Sequence, residues 1–170
     1  MVPYFALIAL CVLLDQVVKY LVRANIPLGG SVSFLPGIMD LTYYQNTGMA
    51  FSLFSEHTWV LTILSAAVAV ALTTLLLSRF ITHPFGRISL SLVIAGALGN
   101  LIDRAAFGFV TDMFRTLFMN FAVFNVADIC ITVGAVWLAV YVLFGYEKLE
   151  KKSKKEAPTH DGTDLSSDDT

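Results

Sequence analysis

Residues 88–104 read ISLSLVIAGALGNLIDR, apolar from Ile88 to Ile102 and then closed by charge at Asp103 and Arg104. A helix needs about 20 mostly apolar residues to cross the hydrocarbon core of a membrane. This run falls short of that, and its flanking residues complete it. Gly96 and Gly99, with Ala95 and Ala97, give it a face on which a neighbouring backbone can come close. The stretch therefore predicts a membrane span with a tightly packed middle and a polar end.

Three further runs fit the same template, at about 4–22, 59–80 and 126–144. Of the 170 residues, 56% are hydrophobic and only 14% charged, against roughly 25% charged in an ordinary soluble domain. The fold class expected is an all-α polytopic membrane protein with four transmembrane helices, occupying 1–146 as one domain. The first run is expected to be a retained span and not a secretory leader: Met1-Val2-Pro3 offers no basic start, and Asp15 and Lys19 interrupt the apolar stretch. Cys11 and Cys130 both lie in apolar runs and read as small core residues, not as a disulfide framework.

Lys and Arg in the loops set the direction. Arg79, Arg87 and the five lysines Lys148, Lys151, Lys152, Lys154 and Lys155 fall on one side of a four-span chain; Arg23, Arg104 and Arg115 fall on the other. The basic side is expected to be cytoplasmic, with both termini inside. The segment 147–170 turns from basic to acidic, ends in DGTDLSSDDT, and reads as a disordered cytoplasmic tail. Its lysines suit anionic headgroups.

Two segments then face outward. In 23–58, Pro36-Gly37 is a turn between the strand-like runs Val32–Phe34 and Leu41–Tyr44, which predicts a small extracytoplasmic β-rich piece on the membrane surface. Phe51, Leu53 and Phe54 follow it and suit the headgroup level. The segment 103–125 is too polar to span and is expected to lie against the membrane.

A charge at a span's centre costs about 2.5–3.5 kcal/mol on insertion scales, so such residues mark function or a specific pairing. Asp15 and Lys19, four apart, share a helix face. They suit a neutralising ion pair or a part in substrate binding. Asp103 and Arg104 suit an interfacial anchor pair or a site. Asn100, Asp103, Arg104, Asp112, Asn125 and Asp128 all fall at the outward end of the spans, within reach of Asp15, Lys19 and Asn46. The inward end has no such group.

In chain order, Leu14-Asp15-Gln16 with Lys19, Asn46-Thr47-Gly48-Met49-Ala50-Phe51, Gly96 to Arg104 (GALGNLIDR), Gly108 to Asp112 (GFVTD) and Phe124-Asn125-Val126-Ala127-Asp128 resemble the lipoprotein signal peptidases, or type II signal peptidases. The five blocks together, on a four-span chain, are far more specific than any one. The resemblance implies a peptidase of the bacterial inner membrane that removes the signal peptide of a prolipoprotein, cutting before a cysteine that carries diacylglycerol. It implies Asp112 and Asp128 as the catalytic pair. Asp15, Lys19, Asn46, Gly48, Asn100, Arg104 and Asn125 would bind substrate or position the pair. Met113 stands where the family often has phenylalanine. No metal, cofactor or nucleic acid is expected. The expected partners are the lipidated substrate and membrane lipids, and the chain is expected to work as a monomer.

Two carboxyl groups held together cannot both ionise easily, so one keeps a proton while the other stays charged. Such a pair can activate water and polarise a carbonyl. Taken alone, Asp112 also suits a turn, and Asp128 suits the positive end of a helix dipole. Two rival readings stay open on the residues: a cation site in a small transporter, built from the same acids and amides, and a non-enzymatic assembly protein. A Ser/His or Cys/His enzyme and a zinc site find no support, because His57, His83 and His160 lie far apart.

Overall fold

A computed structural model describes residues 1–48, 58–78 and 80–145. The aromatic run Phe51, Leu53 and Phe54, residues Ser52, Ser55 and His57, Arg79, and the tail with its lysines and His160 lie outside the described residues.

Four long helices form the body: α1 (Val2–Asn25), α2 (Thr58–Leu77), α3 (Pro84–Phe107) and α4 (Val126–Val140), the last running on as a π-helical turn over Tyr141–Gly145. All four are long and apolar enough to cross a membrane. The third takes in the flanking residues expected to complete it. It starts at Pro84, whose ring suits a first helical position, behind His83, which accepts the Phe85 amide at 3.2 Å. It runs on through Asp103 and Arg104 to Gly108, whose φ of 78° turns the chain sharply out of the helix.

Helix α3 is the centre of the bundle and packs against α1, α2 and α4. Its small residues make that possible. A Cβ on Gly96 would collide with the Ala127 carbonyl oxygen, and one on Gly99 would sit 2.6 Å from Oδ2 of Asp15. On the α4 side, Gly134 lies against the Ser89 carbonyl. Away from the polar end, Ile8, Leu76, Ile81, Leu90, Ile94 and Tyr141 fill the interior.

The β-rich piece is a three-stranded antiparallel sheet, β1 (Ser31–Leu35), β2 (Met39–Asn46) and β3 (Val110–Thr116), in that spatial order. Strands β1 and β2 match the expected hairpin; Gly37 (φ 76°) makes its turn. Strand β3 corrects the reading of 103–125 as a segment merely resting on the membrane. It follows α3 directly and pairs with β2, with Tyr44 opposite Asp112. An extra residue of β2 between Leu41 and Tyr44 bulges the ladder and re-aims the residues beyond it.

Candidate active site

Asp128 arrives on the first turn of α4. Asn125 caps that helix: its Oδ1 accepts the Asp128 amide at 2.9 Å, and Oδ2 of Asp128 accepts the Asn125 amide at 3.1 Å. This reciprocal box satisfies two backbone donors and locks the Asp128 side chain.

Asp112 arrives on β3, 1% exposed. Asn46, diagonal to it across the ladder, donates from Nδ2 to its Oδ2 at 2.9 Å and also accepts the Gly48 amide at 3.0 Å. After β3 the chain doubles back. Phe124 exchanges backbone bonds with Phe114, and this return delivers Asn125 to Asp112. Nδ2 of Asn125 donates to Oδ1 of Asp112 at 2.6 Å. One fully buried asparagine therefore binds both acids.

Asn100 completes the amide network. Its Nδ2 donates to Oδ1 of Asp128 at 2.8 Å, while its Oδ1 accepts from Asn125 at 3.2 Å and from Nζ of Lys19 at 2.9 Å. Behind it lies an ionic layer. Lys19, 0% exposed, sits 2.9 Å from Asp15 and 3.4 Å from Asp103. Asp15 reaches across to α4 and accepts the Ala127 amide at 2.8 Å. Asp103 accepts the Thr111 amide at 2.8 Å.

The pocket has a volume of about 750 Å³. Asn46, Gly48, Asn100, Arg104, Asp112, Asn125 and Asp128 line it, and Phe121, Ile129 and Val133 give it an apolar wall. Seven of the nine expected residues thus share one cavity. Asp15 and Lys19 are not among its lining residues: they are buried and paired with each other, and Lys19 meets the lining through Asn100. Arg104 approaches the Gly48 carbonyl (3.4 Å), and its buried Nε has no partner among the described residues. Asp103 and Arg104 are not an anchor pair, since Asp103 is fully buried against Lys19. The residues to which the sequence assigned no part in the site are Gln16, Arg23 and Thr111. Gln16 donates to both Asp15 and Asp103. Arg23 lies two turns beyond Asp15 on the same helical spacing, which was the available signal.

Burial pushes the Asp112 carboxyl up to about 7, and the nearby Asp128 carboxylate adds to the rise, while donation from Asn46 and Asn125 and the charge of Lys19 hold it back. Counting the buried site, Asp15, Asp103, Asp112 and Asp128 face Lys19, Arg23 and Arg104.

Four helices able to cross a membrane, around a polar pocket, define a multi-pass membrane protein. It is similar to a bacterial membrane enzyme structure solved by the in meso method at 2.3 Å, with a TM-score of 0.79 and 28% identity over 93% of this chain and 94% of that one. A second such structure, at 1.9 Å, gives a TM-score of 0.78 and 29% identity over 85% of this chain and 94% of that one. The family model for signal peptidase (SPase) II matches residues 7–144. The lipoprotein signal peptidase of Enterococcus faecalis is 40% identical over 156 residues, 92% of this chain and 94% of the relative. That of Lactococcus lactis subsp. lactis is 42% identical over 137 residues, 81% and 91% of the two chains. The chain belongs to the signal peptidase II family and is a peptidase, a membrane hydrolase.

Proposed function

We propose that Asp112 and Asp128 are the paired acids of an aspartic endopeptidase that removes signal peptides from prolipoproteins, cutting before a cysteine that carries diacylglycerol. The observation that carries this is the single side chain of Asn125, which binds Asp112 at 2.6 Å and caps the turn holding Asp128. Two acids tied to one residue in one cavity share a proton. The ionised member takes a proton from water, the water oxygen attacks the scissile carbonyl, and the protonated member hydrogen-bonds to the carbonyl oxygen. The proton taken from water then passes to the leaving amine. The pair titrates as a unit.

Asn100 and Asn125 orient the pair. Asn46, Gly48 and Arg104, which line the same cavity, hold the substrate backbone; the Nε of Arg104, without a partner among the described residues, suits a peptide carbonyl. Asp15 and Lys19 position the amides. The apolar wall of Phe121 with Ile129 and Val133 of α4 suits a substrate whose acyl chains stay in the bilayer. With loop charge as guide, both termini face the cytoplasm and the pocket opens on the other side. The chain works as a monomer on this reading, and the tail beyond 146 takes no part in the chemistry.

The test is cleavage of a diacylglyceryl-modified prolipoprotein by the purified protein in detergent. Wild type cuts; Asp112→Asn and Asp128→Asn bind the substrate without cutting it. Cleavage that survives either substitution overturns the pairing.

A further inference from the structure

We propose that Arg23 and Asp103 are positioning residues that set the place of Asp112 by clamping its neighbour Thr111. The inference rests on the reading of Asp112 and Asp128 as the catalytic pair. Thr111 is fully buried and is held from two directions. Oδ2 of Asp103 accepts its backbone N–H at 2.8 Å, and Nη1 of Arg23 donates to its hydroxyl at 2.8 Å. The two clamping groups hold each other as well, with the guanidinium 3.7 Å from Oδ1 of Asp103. Arg23 is aimed by its place over the Phe107 ring, 4.6 Å from the centroid.

The clamp sits where it has leverage. Strand β3 begins at Val110, two residues after the sharp turn at Gly108. The ladder bulges between its Asp112 and Phe114 pairings, so ladder register alone does not fix the height of Asp112 above α3. Thr111 is bonded to α1 through its side chain and to α3 through its main chain. Those are the helices that also place Lys19 and Asn100, hence Asp128. The clamp thus ties the strand bearing one acid to the frame that holds the other. Lys19, Arg104 and Asp128 are the charged groups that face Asp112 across this frame.

The experiment is the pH profile of kcat for Thr111→Val, which keeps shape and backbone N–H but removes the hydroxyl, measured beside Thr111→Ser, which retains it. A misplacement of about 1 Å costs up to ~100-fold in rate, so kcat of Thr111→Val falls about 10- to 100-fold with KM within about twofold. A wider pair also interacts less, so the acid and alkaline limbs of the profile move toward each other. Thr111→Ser restores both rate and limbs. If Thr111→Val does not fold, Arg23→Gln, at a side chain 19% exposed, carries the same expectations. Wild-type kcat, or a loss that tracks the folded fraction while the limbs stay put, overturns the proposal. Asp112→Asn and Asp128→Asn run alongside separate the two ideas. Cleavage by either sinks the pair itself, whereas dead aspartate variants with an unchanged Thr111→Val sink only the clamp.

Discussion

Nζ of Lys19 lies 2.9 Å from Oδ1 of Asn100, and this bond decides which way the Asn100 amide faces. An ammonium only donates, so it demands the carbonyl end of the amide and leaves the NH2 end for Asp128. The same ammonium neutralises Asp15 and Asp103, each of which grips the backbone of an element that bears a site acid.

Lys19→Met keeps the length of the side chain and removes its charge. Asp15 loses its counter-ion and Asp103 keeps only Arg23, a change that costs about 3–5 kcal/mol. We expect a clear fall in thermal unfolding temperature in detergent, together with loss of cleavage. A variant as stable as wild type would show that the ionic layer contributes nothing.

The raised Asp112 carboxyl sets two pH dependences. Its folded value, about 7, lies above the ordinary 3.8, so between those values the folded chain holds more proton than the unfolded one. Its contribution to stability is present at low pH and is lost as pH rises through about 7. Activity that needs the shared proton declines on the same alkaline side. Asn46→Ala removes a donor that holds the carboxyl down, so the alkaline limb of kcat should move to higher pH while the rate drops. A limb displaced to lower pH would contradict this assignment.

Gly99→Ala puts a methyl group 2.6 Å from Oδ2 of Asp15 and 3.2 Å from Cβ of Ala127. Overpacking of this kind costs about 1–3 kcal/mol, and here the atom displaced is the one that neutralises Lys19. Gly96→Ala meets the Ala127 backbone, which cannot rotate away, and should be the worse of the two. Unfolding temperatures of the two variants, ranked in the reverse order, would count against the packing argument.

Removal of metal should leave cleavage unchanged. Asp15, Asp103, Asp112 and Asp128 each accept from N–H groups or the Lys19 ammonium, so their lone pairs are already directed at protein donors rather than at a common cation. Incubation with a chelator, followed by the standard assay, checks this; lost activity restored by a divalent ion would reverse it.

The helices were legible because their signal is local. An apolar run of the right length needs no partner to be recognised, and Asp15 with Lys19 declares a shared face by spacing alone. The hairpin was legible for the same reason, through Pro36-Gly37. Strand β3 was not. It is covered on both faces for four residues, so it lacks the alternation that marks a half-buried strand, and its partner β2 lies far back in the chain. Asp103 stayed open between anchor and site because its position at a span's end suits interfacial water equally well. Only the fold shows that Lys19, Arg23 and Thr111 converge on it. Asn125 was found through motif resemblance, but its hold on both acids depends on the doubling back at Phe124, which no spacing rule announces.

The Asp15–Ala127 bond joins residues 112 apart in sequence, and it matters for how the molecule comes into being. The first turn of the last helix acquires one of its acceptors from the first helix to leave the ribosome. Until the two ends of the bundle meet, the turn that carries Asp128 lacks its full anchorage. On the proposed pairing, hydrolytic competence would then wait for assembly of both ends of the chain.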